Sequence, residues 1–126
     1  MSLDSKQVTI TVSQDPKTSD LIISGDTPVS LSGNGVVVYE LVDETGLGLE
    51  WVGMSFCVDE PWWKNEFLRA QLSDATHIEV FCTPNIGQPN PVWGAYVFYL
   101  TFKGTKRGVS GKMWSFDPEI DCEEPL

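Results

Sequence analysis

The sequence predicts an all-β fold, an antiparallel β-sandwich or flattened barrel of about eight strands. Three observations lead there. Apolar residues recur at every second position through most of the chain, the period of a strand with one face buried. Clusters of Gly, Pro, Asn and Asp separate these runs at short intervals. The runs themselves are rich in β-branched and aromatic residues, which suit a pleated, half-buried surface.

The elements follow in order. Val8, Ile10 and Val12 alternate with Thr9 and Thr11. Leu21-Ile22-Ile23 lies between Asp15-Pro16 and Gly25-Asp26. Val29 and Leu31 alternate next, and Gly33-Asn34-Gly35 is expected to turn the chain as a hairpin into Val36 to Val42, because Gly and Asn accept the positive φ of such a turn. Gly46 and Gly48 precede a strand from Leu49 to Val58, in which Gly53 marks a bulge or bend. Pro61 to Leu72 is the one stretch with helical spacing. There Trp63, Phe67 and Ala70 fall at i, i+4 and i+7, and Pro61 suits a helix start; a single turn or an irregular excursion fits the same residues. Ile78, Val80 and Cys82 form another alternating face. Thr83 to Pro91, with three prolines and Gly87, is a loop. Trp93 to Lys103 is the longest strand, with Tyr96, Phe98, Leu100 and Phe102 on one face, and Lys112 to Asp117 is the last substantial one.

Residues 1–126 form a single domain, with 41% hydrophobic residues and a net charge of −10. An acidic surface repels phosphate backbones and anionic lipid, which argues against nucleic-acid and membrane partners. No run approaches the roughly 18 apolar residues of a membrane span, and the start Met1-Ser2-Leu3-Asp4-Ser5-Lys6 has no signal-peptide core. Cys57, Cys82 and Cys122 are odd in number and lack metal-ligand spacing. They are expected to be reduced and largely buried, as in a cytoplasmic protein, although a Cys57–Cys82 pairing is open to them. No phosphate loop, dinucleotide fingerprint, zinc spacing or calcium loop is present, so no cofactor and no metal is expected.

The chemistry most legible in the chain is that of Asp117-Pro118. An aspartyl carboxyl can attack its own main-chain carbonyl through a five-membered ring, and the proline nitrogen is a comparatively basic leaving group. Proline also lacks the N–H that the competing succinimide route needs. Asp15-Pro16 shares this intrinsic lability, and both dipeptides equally suit the start of an ordinary turn. Only Asp117 is crowded by like charge, from Glu119, Asp121, Glu123 and Glu124, and only Asp117 follows three lysines closely. Lys103 ends the longest strand on the parity of Val97, Tyr99 and Thr101 and is the first candidate to attack an activated acyl group. Lys112 and Lys106 stand behind it, and a lysine guarding a strand end is the plain structural role for each. His77, beside Glu79 on one strand face, reads as a solvated pair. Trp62 and Trp63 are the candidates for an aromatic carbohydrate- or protein-binding surface, which would make the chain a non-enzymatic binding module. The remaining tryptophans read as core.

The tail carrying Asp117-Pro118 and then Glu124-Pro125 resembles the DP-EP family of small bacterial proteins, as do the chain length and the dense β pattern. The resemblance implies a β-sandwich that acts once, as an aspartate-dependent endopeptidase upon itself. Asp117 and Pro118 would be the scissile pair, and Glu124 and Pro125 match the second dipeptide. It implies that residues 118–126 stay associated after cleavage and that a lysine can become covalently joined to the aspartate. The partner it implies is the protein itself, through the cleaved segment and self-assembly.

Overall fold

In the computed structural model of the chain, residues 3–57, 62–84 and 90–125 are described, Trp62 through its backbone alone. The chain forms an all-β sandwich of ten strands: β1 (Asp4–Gln14), β2 (Leu21–Ser24), β3 (Val29–Ser32), β4 (Gly35–Asp43), β5 (Glu50–Phe56), β6 (Leu68–Asp74), β7 (His77–Cys82), β8 (Gly94–Lys103), β9 (Met113–Phe116) and β10 (Glu119–Glu123). A 3-10 helix, Trp62–Phe67, precedes β6. One sheet has the order β2-β1-β4-β7-β6, and the other has β3-β10-β8-β5 with β9 also beside β8. Both sheets remain open, so this is a sandwich and not a barrel. Among the described residues, no helix is long and apolar enough to cross a membrane.

The alternation read in the sequence sets the core. Tyr96, Phe98, Leu100 and Phe102 of β8 point inward, and Ile10, Val12, Val37, Tyr39, Leu41, Ile78 and Val80 of the first sheet join them in one apolar cluster. Fully burying one such large side chain is worth about 1.5–3 kcal/mol. Aromatic contacts tie the layers together: the rings of Tyr39 and Phe98 meet edge to face at 6.2 Å. The Trp51 indole N–H reaches from the second sheet to the first and donates to the carbonyls of Tyr39 at 3.1 Å and Thr76 at 3.0 Å.

The connections depart from a simple meander. Gly33 has the positive φ expected of it, at 79°, but the turn is no hairpin. It carries the chain from β3 in one sheet to β4 in the other. As a result β4 runs parallel to β1, and β10 runs parallel to β3, within otherwise antiparallel sheets. Parallel neighbours need a long crossover, and here β2 and β3 supply it between β1 and β4, and the elements from β4 to β9 supply it between β3 and β10. The bulge expected near Gly53 is present, as a register shift between Trp51 and Gly53 against β8. The helical reading of Pro61 to Leu72 is halved: after the 3-10 turns the chain enters β6 at Leu68. Pro61 and Val58, and residues 85–89 of the expected proline-rich loop, lie outside the described residues.

Candidate functional site

The Asp117-Pro118 dipeptide sits between β9 and β10, which both pair with β8 along the same side. β9 pairs with the second half of β8, from Leu100↔Phe116 to Lys103↔Met113. β10 pairs with the first half, from Glu119↔Val97 to Cys122↔Gly94. The two registers are continuous, so residues 113–123 act as one long strand with the dipeptide at its middle. Continuing that register puts Asp117 opposite Tyr99 and Pro118 opposite Phe98.

The interruption has a covalent cause. The Phe98 N–H donates to the Pro118 carbonyl at 3.4 Å. In an antiparallel ladder such a pair exchanges two bonds, but proline has no N–H to return the second. The same alternation directs the carbonyl of Asp117, the acyl group of the Asp-Pro bond, away from β8. On the other side the ladder to β3 begins only at Ile120↔Val29. That carbonyl therefore lies outside both ladders.

Side chains alternate across this segment. Phe116, Pro118, Ile120 and Cys122 are buried, whereas Asp117 and Glu123 are exposed and Glu119 and Asp121 are half-buried. Four carboxylates thus line one outer face, with neighbours spaced by about 7 Å. Among the described residues no hydrogen bond or ion pair engages the Asp117 carboxylate. Tyr99, 37% exposed on the same face, is its cross-strand neighbour. That relationship requires the register of two strands, and no local pattern announces it.

Asp15 of the other Asp-Pro pair is held quite differently. Its Oδ1 accepts from the N–H groups of Lys17 at 2.8 Å and Thr18 at 3.2 Å. Its main-chain carbonyl accepts from the Ser19 N–H at 2.9 Å. Both groups that would have to react are occupied in closing a turn.

The lysines do not gather at Asp117. Lys103 shares its outer face but pairs with Glu50 on one side and Met113 on the other. It lies four residues along β8 from Tyr99, about 13 Å of strand, beyond the combined reach of the two side chains. Lys112 is in the turn before β9, its carbonyl accepting from the Gly104 N–H at 3.0 Å. Lys106 packs near Gly48, where a Cβ would meet its Cγ at 3.1 Å. Lys64, which is not among the candidates read from the sequence, donates to the Ala95 carbonyl of β8 at 2.8 Å.

His77 also finds different partners from those expected. Its Nδ1 lies 2.9 Å from Asp74 Oδ1, and its Nε2 lies 3.2 Å from Glu40 Oε2. The Asp74 hydrogen bond raises its pKa; desolvation opposes this, and the Asp74 charge and the Glu40 contact add to it. Glu79 instead accepts from Gln71 at 3.0 Å and Ser73 at 2.9 Å. Of the aromatic candidates, Trp63 is 40% exposed on the 3-10 helix, while the Trp62 side chain is outside the described residues. Trp51 is buried, and Trp93 and Trp114 pack against the core.

The cysteines hold one surprise. Cys82 and Cys122 are both fully buried, on opposite sheets, with their sulfurs 2.6 Å apart. Cys57, the partner that sequence left open to Cys82, is half-buried elsewhere. No protein-family model matches the chain, and no curated protein matches it.

Proposed function

We propose that this protein cleaves itself once, at Asp117-Pro118, and retains residues 118–126, the segment that contains strand β10. The Asp117 carboxylate attacks its own main-chain carbonyl carbon, the C–N bond to Pro118 breaks, and the proline nitrogen leaves as an amine with a proton taken from solvent water. The five-membered anhydride that results is opened by water, which gives Asp117 a new terminal carboxyl. A lysine amine can open it instead, giving an amide. This is the activity implied by the DP-EP resemblance, and a cytoplasmic setting suits it.

The observation that carries the reading is the contrast between the two Asp-Pro bonds. Asp15 is tied up in a turn, whereas Asp117 has a carboxylate unengaged among the described residues and a carbonyl outside both ladders. Retention of the fragment is supported by β10 lying inside its sheet, with β3 on one side and β8 on the other. Ile120 and Cys122 of that segment are fully buried. A segment held in this way can also be exchanged between molecules, a route to self-assembly. The offset of Lys103 from Asp117 supports water as the nucleophile within one molecule. Lys103 then acts on Asp117 of a second copy, for which the outer edge of β9 is open among the described residues.

Intact mass of folded protein stored near neutral pH tests the reading. The expected products are 1–117 and 118–126, with Asp15-Pro16 uncut, and Asp117→Ala stays whole. Denaturant at the same pH slows the cut. Equal cutting at both Asp-Pro bonds, or faster cutting in the unfolded chain, would reduce the effect to generic lability.

A further inference from the structure

We propose that Cys82 and Cys122 are the site of a reversible disulfide that staples the two sheets and holds the C-terminal segment covalently. The disulfide stands independently of self-cleavage; its consequence for residues 118–126 rests on that reading. Cys82 ends β7 of the first sheet, and Cys122 lies in β10 of the second. Both are 0% exposed, and their sulfurs are 2.6 Å apart, closer than two sulfur atoms stand in ordinary van der Waals contact.

The packing around the pair explains how two short side chains meet across a sandwich whose layers commonly lie about 10 Å apart. The cross-strand neighbour of Cys82 on β4 is Gly35, and that of Cys122 on β3 is Leu31. These two neighbours touch each other: a Cβ on Gly35 would lie 2.8 Å from the Leu31 Cδ1. The missing side chain lets β3 close onto β4 beside the cysteines. The titratable groups facing the pair are Tyr39 of β4 and Lys64 of the 3-10 helix, which act electrostatically with Cys82, and Tyr96 of β8, which acts with both cysteines. The hydrogen bond to Cys122, and then burial, push the Cys82 thiol far above its usual range. The thiolate is the attacking species, so exchange proceeds while the sheets close during folding, or when β10 lifts, and not inside the sealed core.

The oxidant is a small disulfide such as glutathione disulfide. Cys122 thiolate attacks one of its sulfurs and expels one glutathione thiolate. Cys82 thiolate then attacks the Cys122 sulfur of the mixed disulfide and expels the second. The two protein thiols lose two protons and two electrons in all, and one glutathione disulfide becomes two glutathiones. The closed loop runs from Cys82 to Cys122 and contains Asp117-Pro118. Cleavage at that bond therefore leaves 118–126 tethered in the oxidised form, and dependent on strand pairing alone in the reduced form. Exchange of β10 between molecules becomes a property of the reduced protein, consistent with the transient, redox-sensing disulfides found in reducing compartments.

The test begins with the full-length Asp117→Ala chain, so that linkage is read without cleavage. The chain is refolded with glutathione and glutathione disulfide, alkylated in denaturant and digested with trypsin. The expected product joins peptide 70–103 to peptide 113–126, with a mass lower by two hydrogens than the two together, while peptide 18–64 carries alkylated Cys57. Cys57→Ser should leave the link intact. Alkylation of both Cys82 and Cys122 after this treatment, or a dominant link through Cys57, overturns the proposal. In the oxidised wild type after storage, denaturant alone should leave 118–126 attached, and added reductant should release it. A link in Asp117→Ala with no fragment ever released from wild type upholds the disulfide and overturns self-cleavage.

Discussion

Phe98 donates its N–H to the Pro118 carbonyl at 3.4 Å and receives no hydrogen bond in return, because proline has none to give. The ladder of β8 is broken at one rung, and the labile peptide bond coincides with the break. Pro118→Ala separates these two roles. The variant should stay whole on storage, since alanine nitrogen is a poorer leaving group than proline's. Its new N–H should pair with the Phe98 carbonyl and join the slowly exchanging amides of β10. Intact mass reads the first outcome and amide hydrogen exchange the second. A variant that still cuts after Asp117 would place the lability in the aspartate alone.

The four-residue offset between Lys103 and Tyr99 fixes what kind of cross-link Lys103 can make. About 13 Å of strand separates it from Asp117's position in the same molecule. A Lys103–Asp117 amide should therefore join two chains, accumulate more at higher protein concentration and disappear in Lys103→Ala. Denaturing electrophoresis followed by peptide mapping measures this. A link within one chain at high dilution would show that β9 slides along β8, and a link mapped to Lys64, Lys106 or Lys112 would name a different amine.

What the sequence made legible was whatever depends on period and covalent structure. The inward stripe Tyr96-Phe98-Leu100-Phe102 follows from alternation alone, and all four are buried. The lability of Asp117-Pro118 follows from bond chemistry. The strand Leu68–Asp74 was hidden because it is an edge strand with no apolar stripe: Arg69, Gln71 and Ser73 are exposed, but so is Leu72. Trp63 and Phe67 before it and Ala70 within it meanwhile fall at helical spacing by coincidence. Gly33-Asn34-Gly35 signals a reversal but does not say whether the next strand joins the same sheet. For the candidate site, the face of Asp117 was readable, but its neighbour Tyr99 and the meeting of Cys82 with Cys122 depend on register and sheet stacking. Neither leaves a local trace.

The His77 cluster gives stability a pH dependence with a definite sign. Its contacts to Asp74 and Glu40 raise its pKa above the ordinary 6.5. Such a group adds stability that is fully present below its unfolded pKa and is lost as pH rises through its folded pKa. The urea midpoint of wild type should therefore exceed that of His77→Gln by more at about pH 5.5 than at about pH 8.5. A difference that grows toward alkaline pH would contradict the assignment. Asp74, whose pKa is lowered chiefly by the hydrogen bond to His77, limits the window from the acid side.

Asp43, the last residue of β4, organises the loop between β4 and β5. Its Oδ1 accepts from the Thr45 N–H at 2.8 Å and the Thr45 hydroxyl at 2.5 Å, and its Oδ2 accepts from the Leu49 N–H at 3.0 Å. Burial alone would raise its pKa, but these bonds and one from the Gly48 N–H outweigh it and hold the value low. The same loop receives the N–H groups of Thr105 and Lys106 at the Leu47 carbonyl. Asp43→Ala leaves half-buried donors without an acceptor and should cost about 1–3 kcal/mol; Asp43→Asn, which keeps an acceptor oxygen, should cost less. The depressed pKa gives stability that is present above the unfolded value and lost as pH falls through the folded one, so the penalty of Asp43→Ala should shrink in acid. Urea unfolding across acidic pH measures it. Because the loop lies past the Lys103 end of β8, folded Asp43→Ala should still cut at Asp117-Pro118 at the wild-type rate, and a slower cut would mean that the reactive bond depends on the whole length of the sheet.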